Sequence, residues 1–203
     1  MTNKYFYPNT NVHVNVKGIT DKAELKRYTA KQFGLAMIKI EKNPIKINST
    51  YDMLKLHKIL FEHVFYWAGD IRDVNIQRSE FILGDSDVVF SDYKNIRQEL
   101  RQLDSQYIHG IQWKKLSKYE FIEYLCQLIV ELWVVHPFVE GNTRTIIVFM
   151  DQFVRQFGYY VDIDKFNATS EDIRNAFVWA YIGEFLHIKR IISEIVIRHP
   201  QKI

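Results

Sequence analysis

Apolar residues recur along most of the chain at the three- and four-residue spacing of an amphipathic α-helix. We predict a first helix that is N-capped by Thr20 and reaches about Glu41, because Pro44 disfavours helix in the residue before it. A second helix is predicted over residues 52–65, with its apolar side chains on one face. The pattern predicts further helices over about 92–103, 119–135 and 142–157. A loop is predicted at 162–169, residues 169–172 are predicted to cap another helix, and a last helix is predicted over about 183–198.

The region between Ala68 and Val89 follows a different pattern. Its stretch RDVNIQRSEFIL, residues 72–83, alternates between apolar and polar positions, which predicts a short β-hairpin or flap. Residues 1–19 are polar and turn-rich and predict an extended lead-in.

The chain shows no repeat, low-complexity tract or linker, so we expect a single domain over residues 1–203. Within it the lead-in 1–19 would precede a core of residues 20–169 and C-terminal helices over 170–203. Hydrophobic residues make up 47% and charged residues 25%, which is typical of a globular protein.

Charge and cysteine content narrow the expected partners. The formal net charge of +3 is small and scattered, which argues against a nucleic-acid partner. The single cysteine, Cys126, excludes an internal disulfide and fits a cytoplasmic location. The N-terminus lacks the pattern of a signal peptide, and the apolar run 128–135 is too short to cross a bilayer, so we expect no membrane partner.

The stretch HPFVEGNTR, residues 136–144, carries the candidate chemistry. A helix ends at His136, a short loop follows, and a new helix begins, whose first N–H groups have no partner within the helix and attract anions. Gly141 would let the backbone approach a ligand, and the guanidinium of Arg144 can grip phosphate oxygens. Glu140 would supply an oxygen ligand for Mg²⁺, and His136 can accept a proton near neutral pH.

The same residues also have a purely structural interpretation, since a His-Pro pair often ends a helix and a Gly-Asn pair often forms a turn. His136 and Glu140 are four residues apart, but Pro137 and Gly141 make a regular zinc-binding helix improbable, which argues against a metalloprotease.

Residues 136–144 and their flanks resemble the Fic-domain signature of the Fic/Doc superfamily, His-x-Phe-x-Asp/Glu-Gly-Asn-Gly-Arg-x-x-Arg. The resemblance extends over roughly residues 5–165. The positions that match the signature are His136, Phe138, Glu140, Gly141, Asn142 and Arg144.

The resemblance implies an all-α, Fic-type helical bundle in which the signature joins two central helices beside a small β-hairpin flap. It implies a bacterial, toxin-like protein adenylyltransferase that transfers AMP from ATP to a Ser, Thr or Tyr hydroxyl of a target protein, with a separate antitoxin-like inhibitor as a further partner. His136 would be the general base, Glu140 would bind Mg²⁺, and Phe138 would hold the loop. The implied nucleotide-binding residues are Gly141, Asn142, Thr143, Arg144 and, on the flap, Arg78.

Two positions depart from the signature. Thr143 replaces its second Gly, where Doc-type phosphotransferases carry Lys, and Ile147 replaces its second Arg, which usually binds the terminal phosphate. We expect Ile147 on the same helical face as Arg144, so that Ile147→Arg would tighten ATP binding about tenfold. The departures keep two alternatives open: transfer of another phosphate fragment or nucleotide, and a domain that binds a nucleotide or a partner without turnover.

Residues outside the signature receive structural interpretations. His57 and His63 are predicted to point in different directions on a helix, and Cys126 is predicted to pack in a buried helix. The segment 20–25 approaches the inhibitory motif of some Fic proteins, but a helix cap explains its residues.

Overall fold

Two buried helices, α4 (Lys118–Val135) and α5 (Asn142–Arg155), lie at the centre of the protein. They belong to a computed structural model that describes residues 4–84, 86–162, 165–166 and 170–198. Helix α4 begins with a capping box between Ser117 and Glu120, and it packs against α5 and three other helices. Most residues of both central helices are buried, which fits their position inside the bundle.

The remaining elements surround this pair. They are α1 (Lys22–Lys42), α2 (Asp52–Phe61), β1 (Gln77–Glu80), β2 (Ser86–Val89), α3 (Ile96–Leu103), β3 (Tyr159–Val161), α6 (Ser170–Tyr181), α7 (Leu186–Ile195) and β4 (Val196–Arg198). Helix α2 packs on α5 and α1, while α3, α6 and α7 pack on α4. Strands β1 and β2 form the antiparallel hairpin that the sequence predicted, with Arg78 opposite Val88.

One hydrophobic cluster extends from Tyr5 in the lead-in to Val196 in β4. The lead-in contributes Tyr5 and Val12 to this cluster and joins the end of α2 through the Val16 N–H, which donates to the Val64 carbonyl at 2.9 Å. Cys126 is a buried, free thiol in α4, and burial raises its pKa, so it packs as the sequence predicted.

The mainly helical architecture with a hairpin confirms the predicted fold class, but several boundaries were wrong. Asp21 rather than Thr20 caps α1, because its carboxylate accepts the Glu24 N–H at 2.7 Å. Helix α2 ends four residues before the predicted Phe65. The last helix ends at Ile195, because the next three residues pair with β3 as an antiparallel strand.

The structure does not test two further predictions, the loop with its cap and the division of the chain. The predicted loop at 162–169 and its cap residue Thr169 lie largely outside the described residues. The division of the chain into a lead-in, a core and C-terminal helices of one domain stays a prediction. Within the described ranges, no helix is both long enough and apolar enough to span a bilayer.

Candidate active site

His136 lies at the C-terminal end of α4 and turns the chain out of the helix. Its backbone is left-handed, with φ 49°, a conformation that few non-glycine residues adopt. The Nδ1 atom lies 3.0 Å from the Trp133 carbonyl oxygen, so we assign the ring proton to Nδ1, which leaves the Nε2 lone pair free to accept a proton. The ring is stacked on Phe90 at 3.6 Å between centroids. Burial lowers the pKa of His136 to about 3, which keeps the ring neutral at pH 7.

The loop between α4 and α5 is closed by the side chain of Asn142. Its Oδ1 accepts the Phe138 N–H at 2.9 Å, and its Nδ2 donates to the Phe138 carbonyl at 2.7 Å. Phe138 is fully buried, as the sequence predicted, and lies against the ring of His57 at 3.8 Å. The loop therefore presents its backbone in one conformation at the start of α5.

Gly141 is required at the start of α5 for two reasons. Its φ is 85°, which side-chain-bearing residues rarely adopt. A Cβ at this position would also lie 2.7 Å from the ring of Phe61. The close approach of the loop to α2 therefore depends on the absence of a side chain.

Glu140 lies among three basic side chains. Its Oε1 is 3.0 Å from Nη2 of Arg144, and its Oε2 is 3.5 Å from Nη2 of Arg78 and 4.0 Å from Nε2 of His13. Burial raises the pKa of Glu140, but Arg144, Arg78 and His13 outweigh that effect and leave its pKa below the ordinary value. Glu140 is therefore ionised at neutral pH.

The charged groups and His136 share one small pocket. It has a volume of about 60 Å³ and is lined by Arg78, His136 and residues 140–144. The guanidinium of Arg144 is stacked over the ring of Phe61 at 4.8 Å, which holds it beside the pocket. A proton acceptor, a carboxylate, two guanidinium groups and a helix N-terminus thus meet at one point.

Glu140 fits the requirements of a Mg²⁺ ion bound together with phosphates. Such an ion needs only one or two carboxylates, since phosphates and waters supply its other ligands. Glu140 is ionised, and its side chain is 29% exposed. Among the described residues no group of three or more His, Cys, Asp or Glu side chains could hold a metal on its own, so a bound nucleotide would have to complete the site.

A family model described as the Fic/DOC family matches residues 47–154, just over half of the chain, and this range contains the whole site loop. The chain belongs to the Fic/DOC family. Its Fic signature loop is residues 136–144.

Two curated Fic relatives are informative. The protein adenylyltransferase VbhT of Bartonella schoenbuchensis is 30% identical over 180 residues, which cover 88% of this chain and 36% of the relative. The probable protein adenylyltransferase Fic of Salmonella typhimurium is 27% identical over 160 residues, which cover 76% of this chain and 74% of the relative. The chain thus spans about a third of the first relative and about three quarters of the second.

Solved Fic structures share the fold over nearly the whole chain. BepC of Bartonella tribocorum, crystallised with bound AMPPNP, superposes with a TM-score of 0.82 at 22% identity and covers 97% of both chains. The N-terminal Fic domain of a Bartonella effector protein from Bartonella sp. AR 15-3 has a TM-score of 0.84 at 23% identity, over 95% of this chain and 90% of that one. These likenesses support the fold.

The Fic site brings together all the residues that the sequence proposed for it. His136, Glu140, Gly141, Asn142, Thr143, Arg144 and Arg78 all line the pocket. The Thr143 hydroxyl accepts a hydrogen bond from the indole N–H of Trp133 at 3.2 Å, so this departure from the signature connects α5 to the residue that orients His136. The individual roles in nucleotide and metal binding stay predictions.

The expectation for Ile147 was wrong. From its spacing to Arg144 we expected Ile147 not to face the core, but it is only 5% exposed. Every residue from Thr145 to Val154 is buried, because α5 enters the centre of the bundle directly after its first turn. Arg144 reaches the surface only because it lies in that first turn.

Three residues near the loop were missed or undervalued. His57 was interpreted only as structural, yet its ring contacts the loop backbone. Arg72 was not singled out, although it binds the His136 carbonyl. His13 had no partner in the local sequence but approaches Glu140 from the lead-in. Each contact joins distant parts of the chain, so no local pattern could have indicated it.

Proposed function

We propose that this Fic protein is a protein adenylyltransferase, which transfers AMP from ATP to a hydroxyl group of another protein. The observation that carries the proposal is the neutral, oriented imidazole of His136 beside the N-terminus of α5. The relatives VbhT and the Salmonella Fic protein, which are named protein adenylyltransferases, support it.

In this proposal His136 acts as the general base. Its Nε2 atom accepts the proton of the target hydroxyl, and the hydroxyl oxygen forms a bond to the α-phosphorus of ATP. The bond between the α-phosphorus and the bridging oxygen breaks, and pyrophosphate leaves with that electron pair. The Trp133 carbonyl keeps the ring oriented and stabilises the positive charge that it gains.

In the nucleotide complex, the phosphates would replace Glu140 as the partners of the basic groups that surround it. Arg144 and Arg78 are partly exposed, so both can turn from Glu140 toward phosphate oxygens. The backbone N–H groups at Asn142 and Thr143 point out of the helix start and can donate to the same phosphates. These groups would stabilise the negative charge of the transition state.

Glu140 would hold Mg²⁺ in the nucleotide complex, and the ion would neutralise phosphate charge. Glu140→Gln preserves the side-chain shape and removes the charge. We expect this variant to need at least about tenfold more Mg²⁺ for half-maximal transfer. An unchanged Mg²⁺ titration of the transfer rate would place the ion elsewhere.

The proposal implies a set of partners and a location. The substrate is a protein with an accessible Ser, Thr or Tyr hydroxyl, and nucleic acid has no part in the reaction. A cytoplasmic location fits the need for ATP and the free Cys126 thiol. A groove of about 570 Å³ between the lead-in and α1 opens beside Glu140 and Arg144, and a separate antitoxin-like inhibitor could bind there.

A second candidate is a Fic domain that binds a nucleotide or partner without transfer. The replacement of the second signature Arg by Ile147 favours it, because this position offers no charge to a terminal phosphate. Thr143 leaves a third candidate open, transfer of a different phosphate fragment, because it is neither the signature Gly nor the Lys of Doc-type phosphotransferases.

One labelling experiment separates these candidates. The purified protein is incubated with a cell lysate, Mg²⁺ and ATP that carries its label on either the α- or the γ-phosphate. We expect a protein band labelled only from the α-phosphate. Label from the γ-phosphate would indicate phosphotransfer, and no label from either would favour the non-catalytic candidate.

A further inference from the structure

We propose that Arg72 and His57 are positioning residues, which together hold the signature loop and thereby aim the ring of His136 at the pocket. This inference rests on the proposed function only where it is tested by the rate of AMP transfer. Both residues lie outside the signature: His57 belongs to α2, and Arg72 lies between α2 and the hairpin.

Arg72 binds the backbone at the end of α4. The side chain is only 2% exposed and makes no ion pair among the residues that the structure describes. Its guanidinium donates to four carbonyl oxygens: Nε to His136 at 2.7 Å, Nη1 to Val74 at 2.6 Å, and Nη2 to Ser91 at 2.5 Å and Val135 at 3.3 Å. The backbone N–H of Arg72 also donates to the Pro137 carbonyl at 2.9 Å.

Arg72 thus holds three consecutive carbonyls, those of Val135, His136 and Pro137. The last carbonyls of a helix have no partner within the helix, and a buried one must find a donor elsewhere. His136 is also in a left-handed conformation that its own side chain disfavours. The guanidinium supplies several donors at fixed angles, so it can hold this conformation where a single donor could not.

His57 binds the other end of the loop. Its Nδ1 accepts the Gly69 N–H at 2.8 Å, so the ring proton lies on Nε2, which donates to the Glu140 carbonyl at 3.0 Å. Its ring is stacked on Phe138 at 3.8 Å, and the whole side chain is buried. His57 therefore fixes the backbone of the residue whose carboxylate faces the pocket.

The two residues act on opposite ends of one short segment. Arg72 holds the backbone of His136 and Pro137, and His57 holds that of Glu140. The His136 ring in turn is aligned by the Trp133 carbonyl, one turn back in α4. If the backbone of His136 moves, that alignment is lost, and small displacements of a general base reduce the rate strongly.

Arg72→Lys tests the first contact. Lysine keeps the positive charge but offers a single ammonium group, which cannot reach the four carbonyls together. We expect kcat for AMP transfer to fall at least about tenfold while the Kd for ATP changes less than about threefold. Arg155→Lys is the matched control, because Arg155 also binds several acceptors, Asp151 and Glu41, at the far end of α5. The control is expected to keep wild-type kcat.

His57→Phe and His57→Gln test the second contact. Phenylalanine keeps the ring that stacks on Phe138 but loses both hydrogen bonds, whereas glutamine keeps a donor for the Glu140 carbonyl. We expect kcat to be higher for His57→Gln than for His57→Phe, at similar Kd for ATP. The reverse order would show that His57 acts through packing alone and would overturn its positioning role.

A readout without catalysis separates this inference from the proposed function. In nitrogen-15 NMR spectra of labelled histidine, the wild type is expected to show His136 as one Nδ1-protonated tautomer. Arg72→Lys is expected to give a tautomer mixture, and Arg155→Lys is expected to leave the signal unchanged. If the wild type transfers no AMP, the proposed function fails, but these spectra still decide the positioning role.

Two further results would overturn the inference as a whole. The first is a folded Arg72→Lys variant with wild-type kcat and an unchanged His136 tautomer. If Arg72→Lys does not fold, the two His57 variants provide the second, namely equal kcat values that match the wild type.

Discussion

At the scale of single residues, the site depends on side chains that do more than one task. Trp133 aligns His136 through its carbonyl oxygen and holds Thr143 through its indole N–H. Asn142, which the signature assigns to the nucleotide, also closes the loop through both polar atoms of its side chain. Substitutions at such positions change both the loop and the ligand contacts. The role of a single side chain is therefore tested best at residues that have only one function.

The catalytic role that we propose for His136 is the easiest to separate from ligand binding. We expect His136→Ala to lose at least about a hundredfold in transfer rate, because a general base acts in the chemical step. The Kd for ATP should change little, as measured by calorimetric titration. His136→Asn is a useful companion, since asparagine tolerates the left-handed backbone at this position. Wild-type labelling by either purified variant would remove His136 from the mechanism.

The Ile147→Arg variant now has a different expected outcome. A guanidinium at this buried position of α5 would lack a partner, so we expect the free energy of unfolding to fall by about 3 kcal/mol or more. Chemical denaturation measures this loss, and Ile147→Met is the control with a similar apolar volume. An equally stable Ile147→Arg variant with tighter ATP binding would restore the original expectation.

Apart from Arg78, which the resemblance placed on the flap, the sequence could predict the residues of the site only where they are close in the chain. Residues 136–144 supply the base, the carboxylate and the helix N-terminus, and the structure brings them together with Arg78. The supporting contacts could not be predicted. Arg72 reaches His136 across 64 residues, and His57 reaches Glu140 across 83, so only tertiary packing decides these pairs.

At the scale of elements, helix periodicity predicted the central helices well and their ends less well. Val196 and Ile197 continue the apolar spacing of α7, yet residues 196–198 form a strand because their backbone pairs with Tyr159–Val161. Helix α2 stops at Phe61, and the following turn stacks Phe65 on Trp67 and Trp67 on the His57 ring. At both boundaries, tertiary contacts outweighed the local preference to continue the helix.

The N-terminal cap of α4 provides an element-scale prediction. The Ser117 hydroxyl accepts the Glu120 N–H, and the Glu120 carboxylate accepts the Ser117 N–H at 2.9 Å. We expect Ser117→Ala to lower the free energy of unfolding by about 1 kcal/mol, measured by chemical denaturation, with AMP transfer unchanged. Ser105→Ala is the control, because Ser105 binds only the carbonyl one turn before it. A loss of transfer without a loss of stability would contradict this prediction.

At the scale of the whole molecule, two buried neutral histidines connect stability to pH. Burial lowers the pKa of His57 to about 4 and that of His136 to about 3, from 6.5 in the unfolded chain. Both folded pKa values lie below the unfolded value. The contribution of the two histidines to the free energy of unfolding is therefore complete above pH 6.5 and is lost as the pH falls toward 4 for His57 and 3 for His136. Between pH 7 and 5 each should cost roughly 2 kcal/mol of unfolding free energy.

Denaturation curves at pH 7, 6 and 5 measure this loss. His57→Phe should remove only part of the pH dependence over this range, because His136 and His13, whose pKa values burial also lowers, remain. His63→Gln is the control, because the His63 side chain is 58% exposed. Equal pH dependence in the wild type and His57→Phe would show that His57 does not remain neutral in the folded protein.

Protein engineers could not move the signature loop alone onto another pair of helices and keep its geometry. The carbonyls of Val135 and His136 need the buried guanidinium of Arg72, and that of Pro137 needs the Arg72 backbone N–H. The Glu140 carbonyl needs the imidazole of His57, and both supporting residues lie in a third segment of the chain. The smallest transplantable unit therefore runs from α2 through α5, because the supports of the loop begin at His57. A scaffold that received only residues 136–144 would acquire the reactive groups without the framework that orients them.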